Sequence, residues 1–351
     1  MSDIIYKDSD RRIVIERTRH YGSAFIALLE RTIWGTKSTL YEKHAVPESL
    51  DRISDAYFFS LKVGGELVAV CAAYRKSIRV GDLAYPAFYC FDLAVAGPKQ
   101  GQGYGKLLST VQRSHLLTEL KDGGIAYAYI EAENLRSLEL ARQIGFESIG
   151  RCDAIMFSRF HPRDDARVER LSGSQTEAVV RGLNEQYADH AFLDFEQSVK
   201  AQDYYILMES GEIVAGVQAI PQTYSLKRLP GVKGALLVHV LPHVPVLGAV
   251  FNPKNRHFHR FGNILVRPGS EAAAFTVMET ILARHRLKLG LILTDKRSSV
   301  YQRIAPIRRF GLLQSGLRAA IQVVASFNNV SDAEIAEIRR RPVCVSIMDL
   351  S

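Results

Sequence analysis

The sequence predicts an α+β protein built as two similarly ordered domains. Three observations carry this expectation. Strand-like runs in hairpin order lead to a glycine-rich junction between a strand and a helix. A similar order of elements returns in the second half. The chain has 351 residues with 47% hydrophobic content, enough for two domains of about 150 residues each.

The elements follow in order. Arg12-Ile13-Val14-Ile15 reads as a short strand, and a helical pattern runs from Tyr21 to Ile33. Tyr57 to Lys62 and Glu66 to Tyr74 are strands joined at Gly64-Gly65, a hairpin signal. Tyr85 to Val95 is a long apolar strand. Leu107, Leu108, Val111, Leu116, Leu117 and Leu120 recur at helical spacing, so Gly103 to Leu120 is predicted as a helix, ended by Gly123-Gly124. Ile125 to Ile130 is the next strand. Asn134 to Ile144 is a second helix, stopped by Gly145, and Phe146 opens another strand.

The polar stretch His161-Pro162-Arg163-Asp164-Asp165 marks the expected boundary, giving domains 1–160 and 165–351. Tyr57-Phe58-Phe59 with Gly65-Glu66-Leu67-Val68-Ala69 compares with Tyr204-Tyr205-Ile206 and Gly211-Glu212-Ile213-Val214-Ala215. Ile264 to Val266, Ala272 to His285, Leu289 to Leu293 and Val300 to Arg309 then repeat the strand, helix, strand, helix order, closed by Phe310-Gly311. An internal duplication accounts for this order.

The chemistry is carried by Leu93-Ala94-Val95-Ala96-Gly97-Pro98-Lys99-Gln100-Gly101-Gln102-Gly103-Tyr104-Gly105-Lys106. A strand ends at Val95, and a helix begins inside the loop. Unpaired N–H groups at a helix start converge on an anion, and the helix dipole adds positive potential. Gly101, Gly103 and Gly105 let the backbone approach without side-chain clash, and Lys106 adds charge. The spacing fails for a P-loop, because Leu107 follows Lys106, and it fails for the dinucleotide G-x-G-x-x-G pattern.

What the loop matches is Q/R-x-x-G-x-G/A, written here Gln100 to Gly105, and residues 10–160 resemble the GNAT superfamily of acyl-CoA N-acyltransferases. Asn134 opening a helix and Gly145-Phe146 closing it match a second block of that family. The resemblance implies a mixed, mostly antiparallel sheet with helices on both faces in each half. It implies acetyl-CoA or another acyl-CoA as co-substrate, lying between two splayed strands. The pantetheine arm would pair with backbone around Leu93, Ala94 and Val95. The pyrophosphate would sit on the N–H groups of Gly101 to Lys106, with Gln100, Gln102 and Tyr104 in the same loop. Asn134 would face the pantetheine, its alternative being a plain helix cap.

The implied reaction is direct attack of an amine on the thioester, which needs a base for the amine, a donor for the oxyanion near Leu93, and an acid for the thiolate. The family's common tyrosine, seven residues after the Asn, falls on Ala141. Candidates elsewhere are Tyr89, Asp92, Tyr129 and Glu131, each with a structural reading as core aromatic or hydrogen-bonded carboxylate. A non-catalytic CoA-binding regulatory or interaction protein is therefore the alternative to an N-acetyltransferase. In the second half the corresponding junction is Arg267-Pro268-Gly269-Ser270-Glu271, with one glycine and a carboxylate where phosphate would lie. No CoA is expected there. The degenerate half would build the acceptor cleft or a homodimer interface.

The net charge is +8, and no acidic residue occurs from Ile213 to Ser270. Lys227, Arg228, Arg256 and Arg260 fall in this stretch and are expected on exposed loops. Such a patch attracts anions, so the expected acceptor is a small-molecule or peptide amine that is anionic or tethered to an anion, with tRNA or another polyanion as a weaker reading. His239, His243, His257 and His259 lack a nearby cysteine or carboxylate, so no metal is expected. Four scattered cysteines and a polar start with no signal peptide point to a cytoplasmic protein. Pro242 and Pro245 argue against a membrane span in Gly234 to Phe251.

Overall fold

The computed structural model describes residues 2–10, 12–36, 39–228, 256–311 and 319–349. Strands β1 (Asp3–Lys7) and β2 (Ile13–Thr18) lead into helix α1 (Ser23–Arg31). Short strands β3 (Trp34–Gly35) and β4 (Leu40–Lys43) and helix α2 (Val46–Leu50) follow. The hairpin β5 (Ala56–Val63) and β6 (Glu66–Val80) turns at Gly64 and Gly65, both at positive φ. Then come β7 (Leu83–Val95), α3 (Tyr104–Glu119), β8 (Gly124–Glu131), α4 (Leu135–Gln143) and β9 (Glu147–Ser158).

The second half runs β10 (Val168–Arg170), α5 (Thr176–Gln186), β11 (Ala191–Leu193), α6 (Phe195–Ser198), β12 (Tyr204–Glu209) and β13 (Glu212–Arg228). It continues with β14 (Arg256–Val266), α7 (Glu271–Arg284), β15 (Leu289–Thr294), α8 (Ser299–Ile304), β16 (Ala319–Asn328) and α9 (Asp332–Arg340). Where the periodicity predicts helix to Arg309, α8 stops at Ile304 and passes into a 3-10 turn containing Pro306, which cannot donate to the helical ladder.

Among the described residues one sheet takes the order β1-β2-β5-β6-β7-β8-β16-β9-β15-β14-β13-β12-β10. Its pairings are antiparallel except β7 with β8 and β14 with β15. These parallel pairs occupy corresponding places in the two halves. The halves also exchange strands. β16 pairs with both β8 and β9, and β9 pairs with β15. The sheet is thereby continuous across the middle of the chain.

Both faces are covered because the central strands are apolar on both sides. On β6, Val70, Ala72 and Tyr74 pack in the cluster that holds Phe25 and Leu29 of α1. The alternate residues Ala69, Cys71 and Ala73 pack with Leu108 and Leu116 of α3. This period of two, met by helical stripes on each side, places the helices on opposite faces. In the second half Ala215 and Val217 of β13 pack with Phe275, Met278 and Ile281 of α7. No helix among the described residues is long and apolar enough to cross a membrane. The apolar stretch from Gly234 to Phe251 lies outside them.

Candidate active site

The slot begins where β7 and β8 part. Their parallel pairing covers Ala87 to Tyr89 against Ile125 to Tyr127. Both strands run on, to Val95 and Glu131. On its other edge β7 bulges, because the register against β6 slips between Val70 and Ala72. Asp92 lies there at φ 54, a left-handed conformation uncommon outside glycine. The bulge re-aims the backbone at Leu93, next to the opening.

The loop after β7 makes a 3-10 turn at Gly97–Lys99 and reaches α3 through Gly101 at φ 80 and Gly103 at φ 86. Gly103 is the N-cap of α3 and supplies no capping side chain. The first N–H groups of α3 thus keep the orphan character that suits an anion. Gln100 Nε2 donates to Val95 O at 3.1 Å and Gln102 Nε2 to Pro98 O at 3.2 Å, so both amides brace the loop. A Cβ on Gly101 or Gly103 would meet nothing within 4 Å, so the front of the loop is open. On Gly105 it would meet Val95 Cγ2 at 3.3 Å, where helix and strand approach closely. Tyr104 packs against the α3 core, Ala94 is buried, and Lys106 Nζ reaches Gln143 Oε1 at 3.0 Å. Asn134 accepts from Ser137 N at 3.1 Å, so its side chain caps α4.

The second half also parts its strands, but its helix start is not open in the same way. Gly269 N donates to Glu271 Oε1 at 3.2 Å, so the chain's own carboxylate stands at the start of α7. The parallel stretch of β14 and β15 spans Phe261 and Ile292 and then ends. A small cavity of about 40 Å³ lies beyond it, and Val343, Cys344 and Val345 of the C-terminal tail form part of its lining. A Cβ on Gly262 would come within 3.0 Å of Ile347.

At the reacting end, Tyr89 stacks on Phe91 with ring centroids 5.5 Å apart and lies 5.1 Å from Tyr129. Asp92 accepts from Lys43 Nζ at 2.6 Å. Burial opposes the Lys43 charge, but Asp92 and Tyr224 together hold the ammonium pKa above its ordinary value. Glu131 accepts from Tyr41 OH at 3.2 Å, and burial raises its carboxyl pKa. Tyr41 and Lys43 are two residues apart on β4 and share a face, so one short strand addresses both carboxylates. β4 itself pairs with β13, and Tyr41 stacks on Tyr224 at 4.9 Å. The site is therefore walled by the second half.

Sequence reasoning missed the buried partner of this site. Asp349, fully buried, accepts from Tyr127 OH at 2.7 Å, Tyr129 OH at 2.9 Å and Lys76 Nζ at 2.8 Å, and also from Tyr74 OH. Lys76 also pairs with Asp194. Burial works against the Lys76 charge, yet the two carboxylates hold its pKa above the usual value. Burial and Asp349 together push the tyrosine hydroxyls well up, so they stay protonated at neutral pH. The available signal was weak: Tyr74 with Lys76, and Tyr127 with Tyr129, at strand spacing on shared faces.

Arg260 corrects an expectation. It is not on an exposed loop but on β14, 4% exposed, because that strand is covered on both sides. Its Nη2 donates to Ile347 O, and burial lowers its pKa to about 10. Lys227 and Arg228 are exposed at the end of β13, with Lys227 2.9 Å from Glu42. The Arg256 side chain, His239 and His243 lie outside the described residues. Among the described residues no three of His, Cys, Asp and Glu gather as a metal site.

Residues 26–146 match the family model described as Acetyltransferase (GNAT) family. Residues 26–146 are thus similar to a GNAT domain. The match contains the bulged strand, the glycine-rich loop and both helices after it. Two solved structures extend the likeness over both halves. A Saccharomyces cerevisiae N-myristoyltransferase with bound myristoyl-CoA superposes with a TM-score of 0.60 at 9% identity, covering 98% of this chain and 88% of that one. Another structure of that yeast enzyme with myristoyl-CoA gives 0.52 at 10% identity, covering 97% and 92%. The chain as a whole thus shares the fold of these two structures. No curated protein matches the sequence.

Proposed function

We propose that the protein is an acyl-CoA-dependent N-acyltransferase, with acetyl-CoA the expected donor, acting on a primary amine. The observation that carries this reading is the slot of the GNAT domain. β7 and β8 part just before Leu93 to Val95, and the uncapped start of α3 follows through Gly101 and Gly103. An acyl-pantetheine fits the parted strands by adding to the β7 edge, with its pyrophosphate on the α3 N–H groups. The tail-lined second half, with Glu271 at its helix start, supports a single cofactor site.

The amine attacks the thioester carbonyl, and the oxyanion takes the N–H of Leu93 at the bulge. Glu131 is the best-placed base, since burial raises its pKa toward the range where a carboxylate accepts a proton effectively. Asp92, tied to Lys43, is better suited to orienting that lysine. Tyr129, protonated and held by Asp349, supplies the thiolate with a proton in place of the tyrosine absent at Ala141. Tyr89 shapes the wall between them.

Incubation with acetyl-CoA and a panel of amines should release free thiol only when an amine is present. Glu131→Gln should lower kcat by about 10²–10⁴-fold. The base works deprotonated, so kcat/KM should rise with pH through an apparent pKa above that of an ordinary glutamate. That limb should vanish in Glu131→Gln. An unchanged pH profile in the variant would remove Glu131 from this role. CoA binding with no thiol release across the panel would favour the regulatory reading.

A further inference from the structure

We propose that Arg260 anchors a carboxylate carried by the acyl acceptor, which makes the acceptor an amino acid or an amino-acid-like primary amine. The inference rests on the acyl-transfer reading and names its substrate class. Buried charges are normally paired, because an unpaired one forfeits its hydration with nothing in return. Arg260 breaks that rule. Among the described residues no carboxylate forms an ion pair with Arg260.

A guanidinium has five N–H donors in a fork matched to a carboxylate. One Arg260 nitrogen, Nη2, donates to Ile347 O. Nε is buried and has no partner. The charge of Asp349 acts on Arg260, but both Asp349 oxygens are already engaged. Oδ1 takes Tyr74 and Lys76, and Oδ2 takes Tyr127 and Tyr129. The second nearby carboxylate, Asp92, belongs to Lys43.

The position of this charge favours an acceptor ligand over a structural tie. β14 lies beside β13, and Tyr224 of β13 stacks on Tyr41, which reaches Glu131. Tyr89 of the slot strand and Tyr224 are among the groups whose field acts on Arg260. Arg260 is thus carried by a second-half strand and lies within electrostatic reach of Tyr89 on the slot strand. CoA fills the slot side, so an amine must come from the Arg260 side. A carboxylate on Arg260 would hold the amine toward Glu131 and the thioester.

The test uses the full chain with acetyl-CoA and the twenty common amino acids, each beside its carboxamide and its decarboxylated amine. Thiol release is followed, and binding to the CoA-loaded protein is measured by calorimetry. The accepted amino acid should exceed its amide and decarboxylated amine by about 100-fold in kcat/KM, since a site built for a charged group rejects the analogue lacking it. Arg260→Gln should bring that ratio near one while CoA affinity stays unchanged. If the variant does not fold, the wild-type ratio decides, with the matching 2-hydroxy acid expected as an inhibitor competitive with the amine. Amides turned over as well as acids would overturn the inference and leave acyl transfer standing. If no amine releases thiol, acyl transfer fails, and calorimetry then decides. Acids binding without their amides would keep Arg260 as a carboxylate anchor, and equal or absent binding would end the assignment.

Discussion

Gly103→Asp should weaken CoA binding by at least about 100-fold while leaving the fold intact. The residue is exposed, and a Cβ would meet nothing within 4 Å, so packing tolerates the change. Its φ of 86 strains any side chain, at a cost of order 1–3 kcal/mol. The larger effect is electrostatic. A carboxylate at the N-cap of α3 caps the helix, takes the N–H groups a pyrophosphate needs, and repels the phosphate charge. Circular dichroism and the thermal midpoint should stay close to those of the parent. Wild-type CoA affinity in a folded variant would show that the loop is not the phosphate site.

Asp349→Leu should cost about 3–5 kcal/mol of stability, the scale for removing one member of a buried charge network. The change strips the shared acceptor from Tyr74, Tyr127 and Tyr129 and leaves Lys76 with Asp194 alone. A lower urea midpoint with an unchanged slope should report it. Asp349→Asn keeps an acceptor and should lose less. A midpoint for Asp349→Leu within error of the parent would mean that the tail does not bind the halves together through this carboxylate.

The slot was legible in the sequence because its determinants are local. A strand ending at Val95, glycines spaced for positive φ and a helix starting at Tyr104 all lie within a few residues, and each leaves its mark on composition. The hairpin at Gly64-Gly65 and the α3 stripe were readable for the same reason. The acceptor side was not legible, because its contacts join distant segments. β4 meets β13 across more than a hundred residues, and Tyr74 meets Asp349 across nearly the whole chain. β16 has a strand-like composition, but nothing in it encodes insertion between β8 and β9. Arg260 was noticed as one charge in an acid-free stretch, yet its burial follows from strand pairing that periodicity alone does not specify.

The reading of the chain as one working cofactor slot joined to a degenerate second half is tested most directly by calorimetric titration with acetyl-CoA. Glu271 stands at the start of α7, and tail residues line the gap beside β14 and β15, which argues against a second cofactor there. The account predicts a stoichiometry near one per chain. A value near two, or no binding at all, would contradict it.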